Sequence, residues 1–410
     1  MNQQLRSDAD TIVRQAIRAV LPDAAVRRAL EGRRFSGRLF LVAVGKAAWQ
    51  MAHAAVQCLD TGITDGVVIT KYGHGKGPLP GCRCFEAGHP VPDENSFRAT
   101  QAALDLVSGA GAGDTVLFLL SGGGSALLEK PLIPAEELQD ITGRLLASSA
   151  DIVEMNTIRK RLSAVKGGRF TKACAPARVY AVVLSDIIGD PLDMIASGPA
   201  CADSSTCQQA LAVAEKYHLK LSARAIDCLY QETPKQLDNV ESCITGSVRE
   251  LCTAAAAACR SLGYRPVLLT DCLCCQAREA GSFLASILKT HARPSQPLAF
   301  LAGGETVVRL TGHGKGGRNQ ELALAAAPGI AGIDNAAVFR VGSDGTDGPT
   351  DAAGGYVNGD TLAALANKGY DVSAVLTQND AYHALSAVNG LIVTGPTGTN
   401  VNDVAVALIR

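Results

Sequence analysis

Two Gly-rich turns, far apart in the chain, carry the side chains best suited to chemistry. The first is Ser121-Gly-Gly-Gly-Ser125, which closes an apolar run that begins at Thr115. A buried strand that ends in three glycines leaves backbone N–H groups uncovered, and a following helix adds positive partial charge at the same point. Ser121, Gly122, Gly123, Gly124 and Ser125 are therefore expected to cradle a phosphate. The second turn runs from Gly303-Gly304-Glu305 to Gly312-His-Gly-Lys-Gly-Gly-Arg-Asn-Gln-Glu321. It adds a Lys, an acid and Arg318, whose planar guanidinium can bridge two phosphate oxygens. Asn319 is either a ligand contact beside it or the start of a helix. Together the turns point to an enzyme that handles a phosphorylated ligand.

Other residues group with them. Gly45-Lys46 follows an apolar run and precedes a helical stretch, so Lys46 is placed to meet a phosphate. Asp186 and Asp190, in Ser185-Asp-Ile-Ile-Gly-Asp-Pro191, suit a general base or a magnesium ligand. Asp344, Asp347 and Asp351 fall within eight residues, and the spacing is not that of an EF-hand. They suit a base or Mg²⁺, which takes one or two carboxylates plus phosphate oxygens. Lys166, in Lys166-Gly-Gly168 after a basic stretch, is a further anion-site candidate. No Walker A or protein-kinase signature occurs. Gly312 to Gly317 is a literal G-x-G-x-x-G, but the segment before it contains Glu305, Thr306, Arg309 and Thr311, which is not a buried strand.

Buried strands must position these turns. Apolar runs predict them at 39–44, 66–70, 116–120, 179–184, 266–270, 298–302 and 337–341. Helical stretches at 47–58, 96–107, 135–150, 206–218, 248–262, 319–327 and 360–367 separate most of them. At the N-terminus an apolar stripe from Ile12 to Leu21 predicts a helix, with Ser7 and Asp10 as a capping box. Pro22 opens a second helix. Alternating strands and helices predict an α/β fold of two domains, each a mostly parallel sheet flanked by helices. Polar residues punctuate the carboxyl ends of the strands, where open α/β sheets bind ligands. The polar stretch at 230–240 places the boundary near 235: a Rossmann-like domain 1–235 and a second domain 236–410.

Composition narrows the class. The 410 residues are 47% hydrophobic and 19% charged, with a net charge of −1. That balance does not call for nucleic acid or an anionic membrane. No apolar run reaches a membrane span of about 20 residues, and Met1–Asp10 is not a secretory signal. Thirteen cysteines are too few and too scattered for a disulfide scaffold. The expected location is the cytoplasm, as a monomer or homodimer acting on a small molecule.

Further strings join these: Val44-Gly-Lys-Ala47, Gly88-His-Pro-Val-Pro-Asp93, Asn156 to Gly168, Ser197-Gly-Pro199, Ser343-Asp-Gly-Thr-Asp-Gly348 and Thr394-Gly-Pro-Thr-Gly-Thr-Asn400. In this order, with the turns above, they resemble the glycerate 2-kinases of the MOFRL type (class II glycerate kinases) over almost the whole chain. The resemblance implies an active site in a cleft between two α/β domains. It also implies ATP- and Mg²⁺-dependent phosphorylation of D-glycerate to 2-phosphoglycerate, with Lys46 and Arg318 catalytic. Asp186 is then the candidate base, Asp190, Asp344 and Asp347 the candidate metal ligands, and Gly303, Gly304 and Glu305 part of the phosphate site. Cys272-Leu-Cys-Cys-Gln276 departs from the pattern, where Gly and an acid are expected. Two alternatives are an NAD(P)H-dependent hydroxypyruvate reductase using Gly312–Gly317, and a non-catalytic sugar-phosphate sensor.

Overall fold

The computed structural model describes residues 3–59 and 62–410. The chain forms two compact units: Pro22–Thr245, and residues 3–21 together with Gly246–Arg410. All seven expected strands are present. The first unit is built on β1 (Leu39–Val44), β2 (Asp65–Lys71), β3 (Cys82–Ala87), β4 (Thr115–Leu120), β5 (Arg178–Leu184) and β6 (Val240–Gly246), in the order β3-β2-β1-β4-β5-β6. The four pairings from β3 through β5 are parallel. β1 and β4 are buried along their whole length, which is why their sequences are uninterrupted apolar runs. Phe40, Val42 and Val44 face one helix layer, which includes Glu94–Ser108. Leu39, Leu41 and Ala43 face another, which includes Pro22–Leu30 and Ala48–Cys58. Strand order reverses between β1 and β4, and Val44 lies level with Leu120. The crevice expected of a doubly wound sheet therefore opens where Gly45 and Ser121 stand side by side.

The second unit is built on β7 (Arg265–Leu273), β8 (Leu298–Gly304), β9 (Ala336–Gly342), β10 (Gly354–Asn358), β11 (Leu391–Ile392) and β12 (Asp403–Ile409), in the order β11-β10-β9-β12-β8-β7. β7, β8, β9 and β11 share one direction. β10 and β12 run between them the other way, so the sheet is mixed. β12 is one of five strands that the sequence left unassigned, with β3, β6, β10 and β11, and it separates β8 from β9. Helices Gln3–Ala19 and Val248–Ser261 cover one face, and Ala277–Thr290 and Arg318–Ile330 cover the other.

The division differs from the boundary expected at 235. The 230–240 stretch leads into β6, which adds to the edge of the first sheet beyond β5. Helix Gln3–Ala19 buries Leu5, Ile12, Val13, Ala16 and Ile17 against helix Val248–Ser261 and the second sheet, so residues 3–21 belong with the C-terminal half. This helix is already under way at Gln3, so Ser7 is interior rather than a cap, and Asp10 pairs with Arg6 at 3.0 Å. Among the described residues no helix is long and apolar enough to cross a membrane.

The shared core makes a prediction. Ile12→Ala should lower the urea-unfolding free energy by about 2–5 kcal/mol, through the C-terminal half. An effect below about 0.5 kcal/mol would show that this helix is not part of that core.

Candidate active site

In the first unit the ends of β1 and β4 are stitched together. Ser121 N–H donates to the Val44 carbonyl at 2.9 Å, Lys46 N–H to the Gly122 carbonyl at 2.9 Å, and Ala47 N–H to Ser121 Oγ at 3.1 Å. Gly45 has φ +125°, and a Cβ there would lie 2.1 Å from Ser121 Oγ. The approach is possible only with glycine. A Cβ on Gly123 would touch the His89 ring at 3.1 Å and Lys46 Cγ at 3.2 Å. A Cβ on Gly122 would fall 2.3 Å from Asp186 Oδ2. The glycine triplet therefore lets Lys46, His89 and the Asp186 carboxylate close in around bare backbone. The N–H groups of Gly122, Gly123 and Gly124 have no backbone acceptor among the described residues. Burial, then the charges of Lys46 and Lys71 and the His74 ring, lower the His89 pKa, so its imidazole is neutral at pH 7 in a positive field.

The rest of this half is scaffold. Ser125 Oγ lies 3.2 Å from Ser197 Oγ, which donates to Asn156 Oδ1 at 2.8 Å. Lys166 is not an anion ligand. It is fully buried, donates to the Ser125 and Leu128 carbonyls at 2.8 and 2.9 Å, and pairs with Glu129 at 3.1 Å. Burial pushes its pKa down to about 8. Asp190 has φ +52°, and its Oδ1 is buried with no partner.

In the second unit helix Arg318–Ile330 presents Arg318 at its first turn. Asp403, the first residue of β12, takes Arg318 Nε and Nη2 at 2.7 and 3.2 Å, and Glu305 takes Nη1 at 2.7 Å. Those bonds use three of the five guanidinium N–H donors and leave two for a ligand. Asp347 does not face an open metal position. Its carboxylate accepts the backbone N–H of Asn319 and Gln320 at 3.1 and 2.9 Å, capping the helix. Asn319 is buried with its amide turned inward, so it too is scaffold. Gly303 and Gly304 are packing glycines: a Cβ on either would fall 2.4 Å from Cys252 Sγ or the Leu273 backbone. Asp344 accepts from Thr346 N–H at 2.9 Å. Glu305, Arg318, Asp344 and the Gly312–Gly317 loop line a cavity of about 720 Å³.

The G-x-G-x-x-G has a packing role. A Cβ on Gly312, Gly314 or Gly317 would fall within 2.4 Å of Gln378, Asp380 or Asp347. Asn379 Oδ1 accepts from Thr311 and Gly312 N–H at 2.7 and 3.0 Å, holding the loop down. No strand leads into it, since β8 ends at Gly304. A dinucleotide turn needs that strand and an uncovered backbone.

Sequence reasoning missed Asp403 and Arg340, and met His89 only within Gly88-His-Pro-Val-Pro-Asp93, as a loop residue. Arg340 stood in plain view inside Ala336-Ala-Val-Phe-Arg-Val-Gly342, because arginine is almost never fully buried unless paired.

Two α/β units whose strand ends carry basic and acidic side chains on Gly-rich turns define a class of phosphate-handling enzyme. Family models match residues 8–230 as a domain of unknown function, DUF4147, and residues 298–403 as the MOFRL family. A D-glycerate 2-kinase from Thermotoga maritima is 51% identical over 99% of both chains. A solved glycerate kinase from Thermotoga maritima superposes with a TM-score of 0.96 at 50% identity, covering 100% of both chains. A putative hydroxypyruvate reductase from Agrobacterium vitis is 39% identical over 91% of this chain and 87% of the relative. The chain belongs to the MOFRL-type glycerate kinase family.

Two predictions follow from the geometry. Gly45→Ala should reduce turnover by at least about 10²-fold, since a misplacement of 1 Å near the chemistry costs that much; near-normal activity would show that the two strand ends need not touch. Burial raises the Asp347 carboxyl from 3.8 to about 6, against the pull of the helix N–H groups. The group therefore favours the fold when protonated, and that contribution is lost as pH rises through this window. Relative to wild type, Asp347→Asn should gain stability between about pH 4 and 6. A pH-independent difference in melting temperature would contradict the shift.

Proposed function

We propose that this protein transfers the γ-phosphoryl group of ATP to the C2 hydroxyl of D-glycerate, giving 2-phosphoglycerate. The observation that carries the reading is Arg318, held by Asp403 with two N–H donors left over. The family and the glycerate kinase names of its relatives support the substrate. Phosphoryl transfer needs little covalent help; it needs in-line positioning and positive charge around three equatorial oxygens. Arg318 offers such charge in the second unit, and Lys46 offers it at the strand ends of the first. The bare N–H groups at 122–124 bind phosphate oxygens, and Asp186, against Gly122, takes the hydroxyl proton.

The reaction is expected to use Mg²⁺, which would neutralise charge on the nucleotide phosphates. No cluster of three metal-ligating side chains exists among the described residues. Mg²⁺ in kinases needs only one or two carboxylates. Asp190, with its orphaned Oδ1, and Asp344 fit that requirement; Asp347 does not. Thirteen free cysteines suit a reducing compartment, and we place the enzyme in the cytoplasm.

The test is ADP release from D-glycerate and ATP, with the product given directly to enolase without a mutase. Enolase turnover is expected. ADP without enolase turnover would move the phosphate to C3, and NADH oxidation with hydroxypyruvate but no ADP would overturn the kinase reading. Lys46→Ala should lower kcat by about 10²-fold or more. A change in the KM for D-glycerate alone would make Lys46 a carboxylate binder instead.

A further inference from the structure

Arg340 is the largest polar anomaly in the second unit. It lies in the middle of β9 with no exposed surface, yet its Nε and Nη1 have no hydrogen-bond partner. Its Nη2 donates to Asp403 Oδ2 at 3.0 Å and to the Gly304 carbonyl at 2.9 Å. The register explains how it reaches. Asp403 stands between Gly304 and Gly342, and Arg340, two residues before Gly342 on the adjacent strand β9, is its diagonal neighbour on the same face. In Arg340's own row Ala405 stands opposite it and Ala302 beyond, and these small residues leave room for a long side chain.

Stability does not account for this arrangement. A buried ion pair is often no better than well-packed apolar side chains of the same volume, and two orphaned donors make it worse. Electrostatics does account for it. Asp403 holds Arg318 by a two-point contact, but a carboxylate at that distance also cancels the guanidinium charge. Arg340 on the far side of Asp403 offsets it: within this triad two arginines and one aspartate carry a net charge of +1, and Asp347, the other buried carboxylate nearby, is taken up by the N–H groups of its helix. Asp403 and Arg340 sit where water screens little, while Arg318 is a third exposed and faces solvent. Glu305 also touches Arg318, but its side chain is 46% exposed, so water screens its charge more than that of Asp403.

Taking Arg318 as the phosphoryl-facing cation proposed above, we infer that Asp403 and Arg340 are positioning residues for it. Asp403 fixes the plane of the guanidinium, and Arg340 keeps the site positive despite Asp403. Neither touches the substrate.

The test uses Asp403→Asn, Arg340→Met and Arg340→Lys in the full chain, each alone and combined with Arg318→Ala. Readouts are kcat, the KM for D-glycerate, and the urea midpoint. Asp403→Asn and Arg340→Met should each lower kcat by about 10²-fold, the size seen when one charge-stabilising group is lost, with the KM for D-glycerate within about threefold. Arg340→Lys should recover at least about tenfold over Arg340→Met. In the Arg318→Ala background Asp403→Asn should cost less than about threefold more, because groups that act as a unit are not additive. Turnover within threefold of wild type for folded Asp403→Asn would overturn the inference. So would an equal loss in both backgrounds, since that marks a structural role. Asp403→Asn keeps the side chain's shape, so it decides even where Arg340→Met does not fold. If Arg318→Ala alone keeps more than a tenth of wild-type turnover, the reading of Arg318 fails instead, and that result comes from a different variant.

Discussion

A carboxylate buried between two guanidinium groups stands at the head of the second sheet, and much of that unit is arranged to make it possible. Asp403 is 2% exposed and bonds both Arg318 and Arg340. A charge so placed requires opposite charge and hydrogen bonds at once. Arg318 comes from a helix and Arg340 from a strand, so β12 must run between β8 and β9 to bring Asp403 to both. The neighbours at its level, Gly304 and Gly342, have no side chains to block the approach. The helix that carries Arg318 is in turn capped by Asp347. A kinase needs a cation that stays in place when an anionic substrate arrives, and a two-point carboxylate contact is the simplest way to hold one.

The first unit reaches a similar end by a different constraint, close backbone approach. β1 and β4 end level, and Gly45 and Ser121 come within a distance that no Cβ tolerates. Asp186 and Lys46 then close on Gly122 and Gly123 of the triplet from different sequence segments. One lysine, rather than a buried array, stands beside the triplet. The surrounding cations, Lys166 and the pair Lys160 and Arg161, are tied to internal carboxylates and carbonyls. A basic sequence stretch here marks structural ion pairs, not a binding face.

Legibility followed burial. β1 and β4 are buried on both faces, so their sequences are continuous apolar runs and were read nearly to the residue. β3, with Cys82-Arg-Cys-Phe-Glu-Ala87, is an edge strand half in solvent, and β6 lies in a polar stretch that reads as linker. The place of residues 3–21 was illegible because a helix's apolar stripe says that it packs, not against what. Lys46, Arg318 and Asp186 could be singled out as candidates because each follows a strand or a Gly-rich turn, and the structure places each at such an end. Asp347, Asn319, Lys166, Gly303 and Gly304 have the right types for a ligand site but serve packing and capping. Only the three-dimensional partners separate those uses. Asp403 and Arg340 lie 63 residues apart in sequence, so no local pattern could join them.

The central claim is that the Arg318 guanidinium is the charge on which phosphoryl transfer in this unit depends. Its most direct test is the single-turnover rate of Arg318→Ala with saturating ATP and D-glycerate, with and without millimolar guanidinium ion. The account predicts a loss of about 10³-fold or more, as for other phosphoryl-transfer arginines, partly restored by free guanidinium seated against Asp403. A loss below about tenfold with normal folding would contradict it.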